Sequence, residues 1–350
     1  MEHAVEAGLA ARLRGRPGWI VTVDPYIGHG TPTIAHLRGR AVVRRRQPRR
    51  RDGVAATLVT SLTRYARVEA KGESIDIEVA GRTISAVSDD EGYLTVDAEL
   101  PEVSTGWHDV TWLPPSGPVP GRLLVVDPDA PLGLVSDLDD TVIHTGLTRA
   151  WETVRTSLLV ADEDRVPIAG GAELYQALLA EDPAAASATG QGPAFYVSTG
   201  AWNMHEMLQL FLARNGFPAG PIMLTDWGPS TRWLFRENSV AFKARTIASL
   251  IAQHPRPFWV LVGDSGQHDP EAYAAVVRSC PGRVRAVYIR DVPPTSVLRA
   301  NRVGELAAEM AGLGVPMLLI RDSVEAAEHA HGLGLIDQSG LARVRAAVRS

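Results

Sequence analysis

Asp137 and Asp139 lie two residues apart in the run Leu134-Val135-Ser136-Asp137-Leu138-Asp139-Asp140-Thr141, directly after an apolar segment. Alternation along an extended chain sends both carboxylates the same way, with Leu138 pointing elsewhere. Two such groups can share one metal ion and one phosphoryl group. The first can attack phosphorus; the second can protonate the leaving oxygen, then activate water against the acyl-phosphate. A lone Asp-x-Asp arises often in surface turns. Here the flanking Gly133-Leu134-Val135 and Thr141-Val142-Ile143 make the end of a buried strand the stronger reading.

Other segments could complete an acid-rich phosphate site. In Phe195-Tyr196-Val197-Ser198-Thr199-Gly200, Ser198 stands at a strand end. Thr199 and Gly200 after it could turn backbone N–H groups toward a phosphate. Ser198 could equally cap the helix that follows. Lys243, in Val240-Ala241-Phe242-Lys243-Ala244, could hold a phosphate oxygen and offset crowded carboxylates, or be a solvent-facing helix lysine. The run Gly263-Asp264-Ser265-Gly266-Gln267-His268-Asp269-Pro270 follows a strand signal, Phe258 to Val262, and brings in two more acids. Asp264 is placed to bind Mg²⁺, which prefers an oxygen shell. Asp269 could act through water, orient Lys243, or begin a helix ahead of Pro270. Arg290 follows another strand and could reach a phosphate or cap the sheet edge.

These segments need a frame. A chain of 350 residues predicts two domains. Residues 1–127 read as a β-rich accessory domain, a small sandwich or partly open barrel, with strand-like pieces at 40–44, 75–79, 83–87, 93–96 and 107–113. A short helix is expected within 1–12, and 54–67 is ambiguous between helix and strand. From 128 to 350 short apolar runs alternate with helix-length segments, the rhythm of a parallel sheet with crossover helices. Strands are expected at 132–136, 194–198, 222–224, 258–262, 284–289 and 317–320, with helices at 203–215, 241–251, 270–280 and 296–311. The interval between the first two strands exceeds an ordinary crossover, so 146–190 is read as a small helical cap insertion.

Composition narrows the partners. The net charge of -5 gives no reason to expect nucleic acid. Arg44-Arg45-Arg46 with Arg49-Arg50-Arg51 could attract anionic lipid, or form a solvated basic loop. Cys280 is the single cysteine, which fits a reducing compartment. No 18-residue apolar run and no positively charged leader are evident, so a cytoplasmic protein is expected, one that meets any membrane-bound substrate from the surface. His329 and His331 read as a helix end, because no third histidine or cysteine is supplied locally. Gly332-Leu333-Gly334 lacks the rest of a dinucleotide fingerprint, and Ser265 is not in a Gly-x-Ser-x-Gly setting.

Taken in order, Asp137/Asp139/Thr141, Ser198, Lys243 and Asp264/Asp269 resemble the signature of the haloacid dehalogenase-like (HAD) phosphohydrolase superfamily. Ser136 to Val142, the Tyr-Val-Ser segment with Trp202-Asn203, Gly263 to Tyr273, and Tyr288-Ile289-Arg290-Asp291-Val292 look like the actin-patch-protein type of phosphatidate phosphatase catalytic domain. The resemblance covers about 132 to 337 and implies a Rossmann-like α/β core. It also implies a phospho-aspartyl intermediate on Asp137, with Asp139 as acid and then base. Mg²⁺ would be held by Asp137, the backbone carbonyl of Asp139, and Asp264. Ser198 and Lys243 would act on the phosphoryl group, supported by Thr141, Thr199, Gly200, Asp269 and Arg290. Thr199-Gly200-Ala201 departs from the family's usual continuation, so the substrate-facing contour differs there. The expected activity is Mg²⁺-dependent phosphomonoester hydrolysis, with phosphatidate at a membrane surface as the candidate substrate. Two alternatives stand beside it: a soluble-metabolite or phosphoprotein phosphatase, and a non-catalytic adaptor for anionic membranes.

Overall fold

The computed structural model describes residues 16–45, 68–138, 141–144, 166–180, 192–225, 235–292 and 296–349. The chain divides into two compact units, Met1–Val126 and Asp127–Ser350. The expected helix within 1–12, the ambiguous stretch 54–67, and Arg46 and Arg49 to Arg51 lie outside the described residues.

The first unit is β-rich. Its strands are β1 Trp19–Pro25, β2 Gly28–Thr31, β3 Ile34–Arg45, β4 Val68–Glu69, β5 Ser74–Val79, β6 Arg82–Val87, β7 Tyr93–Glu99, β8 Gly106–Leu113 and β9 Val119–Val125. They form one hydrogen-bonded network in the order β1-β3-β2-β9-β8-β5-β6, with β4 and β7 added to β3. The pairs are antiparallel except β2 with β9. Strict alternation in β5 turns Ile75, Ile77 and Val79 inward, into one apolar cluster with Leu37, Val110, Trp112 and Leu123. Arg40 is fully buried there, where it pairs with Glu69 and its guanidinium lies 4.4 Å from the centre of the Tyr93 ring. The last two residues of β3, Arg44 and Arg45, begin the basic run; Arg44 lies 3.8 Å from Asp24.

The second unit is a parallel sheet with helices. Its sheet comprises β10 Leu132–Ser136, β13 Ala194–Ala201, β14 Ile222–Thr225, β15 Phe258–Asp264, β16 Val284–Arg290 and β17 Met317–Ile320, while β11 Ile143–His144 and β12 Val166–Pro167 pair separately. The helices are α1 Gly171–Leu179, α2 His205–Arg214, α3 Phe235–Gln253, α4 Asp269–Ser279, α5 Val297–Gly312, α6 Ser323–Gly332 and α7 Gln338–Arg349. The sheet order is β14-β13-β10-β15-β16-β17, and its neighbours are parallel throughout.

Period-two alternation explains why β10 and β15 read as continuous apolar runs. Leu134, Tyr196, Val260 and Tyr288 join one cluster with residues of α1, α2, α6 and α7. The intervening Val135, Phe195, Trp259 and Leu261 are equally buried, and α3, α4 and α5 pack on β13, β15 and β17. Gly133 permits part of this packing, since a Cβ there would lie 2.5 Å from the Trp259 ring. The chain starts at β10, builds outward through β13 and β14, then returns to β15 on the other side of β10. Such a reversal opens a crevice beyond the carboxyl ends of the central strands, where open α/β sheets take their ligands.

The helix Gly171–Leu179 falls inside 146–190 and packs on the sheet, since Leu174, Tyr175 and Leu178 belong to the same apolar cluster as β10. It is a covering helix of the sheet. Within that interval, 146–165 and 181–190 lie outside the described residues.

Candidate active site

Asp137 is the first residue after β10, and its N–H donates to the Val262 carbonyl at 2.9 Å, which carries the β10–β15 alignment one step past the strand. Asp264 ends β15 and Asp269 begins α4. All three acids are fully buried, and each offers a carboxylate oxygen within 4.8 Å of the others. Gly263 allows this spacing. A Cβ at that position would lie 2.5 Å from the Asp269 Oδ2 and 2.7 Å from the Tyr273 ring, so only glycine lets α4 start this close to the strand. The turn between the two acids is held by its own groups: Gln267 N–H donates to Asp264 Oδ1 at 2.7 Å, and Asp264 N–H to Asp269 Oδ2 at 3.1 Å.

Lys243 comes from α3 and is 2% exposed. Its ammonium donates to Asp137 Oδ1 at 2.7 Å and also to Asp269 Oδ1. Burial by itself would push the lysine down, but the attraction of Asp137 and Asp269 outweighs it and holds the ammonium well above its ordinary value. The solvent-facing alternative for Lys243 is thereby removed. Asp269, for its part, faces Lys243 and the Asp264 backbone; the residue capping α4 is His268, which makes no side-chain cap bond.

Ser198 is 1% exposed and accepts the Gly200 N–H at 2.9 Å. In register, Tyr196 pairs with Ser136, so Ser198 lies just beyond Asp137's level at the same sheet edge. The β13–β14 ladder is regular at Tyr196 and Val197, breaks over Ser198, Thr199 and Gly200, and resumes at Ala201. An irregularity of this kind re-aims backbone and side chains at a strand end. Ser198 does not cap α2, whose N-cap is Met204 with no side-chain cap bond. Thr141 is buried, and its Oγ1 has no hydrogen-bond partner among the described residues. Arg290 ends β16 directly in register with Asp264. Asp139 lies outside the described residues.

Several contacts escape a motif-based reading. The Ser136 hydroxyl donates to the Asp137 carbonyl at 2.6 Å, so the Tyr175 hydroxyl, also 2.6 Å away, donates to Ser136. Burial, chiefly, pushes Tyr175 well above its ordinary value, and it stays a neutral donor behind Asp137. The Tyr273 hydroxyl donates to the Val262 carbonyl at 2.8 Å and is likewise pushed up by burial. Tyr175 had no local signal, because α1 reaches β10 only through tertiary packing. Tyr273 sits in the Gly263 to Tyr273 run but carries no reactive chemistry that would single it out. His329 and His331 take the helix-end reading: both lie in the last turn of α6, bonding the Tyr288 hydroxyl and the Ile336 carbonyl respectively.

The donor set fits a divalent cation. Three buried carboxylates offer oxygens within 4.8 Å of one another, beside the Lys243 ammonium that bonds two of them. The candidate ligands are hard carboxylate oxygens, the set that Mg²⁺ selects.

Residues 132–291 match the family model described as "Phosphatidate phosphatase APP1, catalytic domain". Over 159 residues the chain is 32% identical to "Phosphatidate phosphatase APP1" of Saccharomyces cerevisiae, covering 45% of this chain and 26% of that protein. It is 25% identical over 162 residues to an uncharacterized protein of Schizosaccharomyces pombe, covering 46% and 25%. The chain thus spans about a quarter of the length of these curated relatives. A solved carbohydrate acetylesterase from Xanthomonas citri aligns over 86% of this chain and 68% of its own at 12% identity and a TM-score of 0.30, too distant to bear on fold or function. The matched stretch, residues 132–291, includes Asp137, Ser198, Lys243, Asp264, Asp269 and Arg290, so the segment that carries the buried acids is the one similar to the APP1-type phosphatidate phosphatase catalytic domain.

Proposed function

We propose that the second unit is a Mg²⁺-dependent phosphomonoesterase with a HAD-like core, acting through a phospho-aspartyl intermediate on Asp137. The observation that carries this reading is the convergence of Asp137, Asp264 and Asp269 within 4.8 Å, with Lys243 bonded to two of them. A parallel sheet whose order reverses at β10 supports the HAD-like assignment, since it sets these residues in the switch-point crevice.

The chemistry of this chain's residues follows. An Asp137 carboxylate oxygen attacks phosphorus and the ester P–O bond breaks. Asp139 protonates the departing alkoxide, then removes a proton from water as that water attacks phosphorus and releases Asp137. Lys243 keeps Asp137 oriented and offsets charge on the phosphoryl oxygens, and Ser198 with the Thr199–Gly200 backbone receives one of those oxygens. Mg²⁺, when bound to Asp137 and Asp264, would supply charge neutralisation and alignment of the phosphoryl group.

Phosphatidate is the proposed substrate. The family match supports it, and so does the surface beside the acid-bearing turn. Val297 and Leu298, 76% and 82% exposed, open α5, and Arg299 next to them bonds the Ser265 and Gln267 carbonyls of that turn. Two apolar side chains held out in water beside a phosphate site suit contact with a lipid surface. Among the described residues no helix is long and apolar enough to cross a membrane, so a bilayer substrate would be met from its surface.

The test is phosphate release from phosphatidate vesicles, lysophosphatidate and a soluble aryl phosphate, with and without Mg²⁺, for wild type and Asp137→Asn. Wild-type release that needs Mg²⁺ and vanishes in the folded variant is expected. Undiminished turnover by Asp137→Asn would overturn the nucleophile, and a preference for the soluble ester would overturn the lipid.

A further inference from the structure

The turn between Asp264 and Asp269 is bonded at several points by one side chain from outside it. Arg299, in the first turn of α5, donates from Nε to the Ser265 carbonyl at 2.8 Å. One terminal nitrogen donates to the Gln267 carbonyl and, at 3.0 Å, to Glu271 Oε2; the other donates to Glu271 Oε1. A single guanidinium therefore joins two carbonyls inside the turn to a carboxylate in the first turn of α4. The pair is about one-fifth exposed on each side, and Arg299 holds Glu271 below the ordinary carboxylate range against the opposing effect of burial. The arginine's own backbone is fixed too, its N–H donating to the Ser296 cap at 3.1 Å.

The rest of the turn is bonded in ways that leave Arg299 a distinct role. Ser265 N–H donates to the Arg290 carbonyl at 2.8 Å, and the Ser265 hydroxyl accepts the Val292 N–H at 3.0 Å, which ties the turn's start to β16. Gln267, whose N–H binds Asp264 Oδ1, is the residue whose carbonyl Arg299 takes. The arginine thus grips the peptide that orients one acid and, through Glu271, the helix that presents the other.

We infer that Arg299 is a positioning residue that sets the metal affinity of the Asp137–Asp264–Asp269 cluster by fixing the turn between its last two members. The inference rests on the proposed reading of that cluster as a Mg²⁺ site. A lysine could keep the charge opposite Glu271, but a point ammonium cannot span two carbonyls and a carboxylate in one plane. Removing groups that orient metal ligands typically lowers affinity roughly 10- to 100-fold.

The experiment is calorimetric titration of the full chain with Mg²⁺, without substrate, for wild type, Arg299→Lys and Glu271→Gln, alongside thermal melts. Expected are wild-type binding, a loss of about ten-fold or more in Arg299→Lys, and a smaller loss in Glu271→Gln, where the carbonyl bonds remain. Phosphate release by Arg299→Lys should recover at saturating Mg²⁺, which a general loss of fold would not allow. If Arg299→Lys does not fold, Glu271→Gln alone carries the test. Unchanged Mg²⁺ affinity in the folded variants would overturn the positioning role. Absence of Mg²⁺ binding by wild type would instead overturn the metal reading beneath it.

Discussion

Lys243 Nζ lies 2.7 Å from Asp137 Oδ1 across 106 residues of sequence, and both side chains are withdrawn from solvent. The ammonium bonds both Asp137 and Asp269, so the pair couples the fold to the charge balance of the site. Lys243→Met keeps the apolar stem and removes the charge. Breaking a buried ion pair from one side costs about 3–5 kcal/mol, and Mg²⁺ should restore part of that loss by supplying positive charge. Urea unfolding with and without Mg²⁺ reads both effects. A variant as stable as wild type in metal-free buffer would show that the lysine does not balance the carboxylates.

Gly263 is the contact point between β15 and α4. Gly263→Ala would force a methyl into Asp269 and the Tyr273 ring, both of which are packed from behind. Overpacking of this kind costs about 1–3 kcal/mol, and here it should also spread Asp264 from Asp269 and weaken Mg²⁺ binding. Melting and metal titration of the same sample check the pair of effects; wild-type values for both would rule out the tight approach.

His205 opens α2 in a buried setting, and burial pushes its imidazole down to about 3 from an ordinary value of 6.5. Because the folded value lies below the unfolded one, the neutral ring's contribution is fully present above about pH 6.5. It is lost as pH falls toward 3, since only the unfolded chain takes up the proton. The loss reaches about 2 kcal/mol by about pH 5. Stability measured from pH 7 to 4 should fall less steeply for His205→Phe than for wild type, with the acid cluster common to both proteins cancelling in the difference. Parallel curves would contradict a buried neutral histidine.

Val297 and Leu298 provide the check on the lipid surface. The double variant Val297→Asp/Leu298→Asp should fold as wild type does, since both side chains are largely exposed. Phosphate release from anionic phosphatidate vesicles is expected to fall roughly ten-fold or more, the equivalent of about 1.4 kcal/mol or more of lost apolar and gained repulsive interaction, while a soluble aryl phosphate is hydrolysed unchanged. Equal losses on both substrates would place these residues in the general chemistry instead of at a membrane.

Most of the second unit was legible because its strands carry their own signal. Leu132–Ser136 and Met317–Ile320 have the bounds read from the apolar runs, and Phe258–Asp264 and Val284–Arg290 extend theirs by one or two residues. Buried parallel strands must be apolar on both faces, which leaves little ambiguity in a single sequence. The first unit was harder: β1 and β2 carry Thr22, Asp24, His29 and two glycines, so neither shows a clean alternation. That helix Gly171–Leu179, within the long interval 146–190, packs on β10 is decided by tertiary contacts that local periodicity cannot report.

The local sequence alone marks the candidate reacting groups: Asp137 after an apolar strand, a hydroxyl at Ser198, and acids at 264 and 269 behind another strand. Residue type and strand-end position limit what such groups can do, and both are local properties. Tertiary structure decided which of them meet. It drew Lys243 out of the class of surface helix lysines, put Asp269 in the carboxylate cluster, and set Arg299 and Tyr175 behind the acids. Those relationships depend on helices crossing a sheet whose order reverses at β10, and contacts between residues tens to a hundred positions apart leave no trace in local pattern.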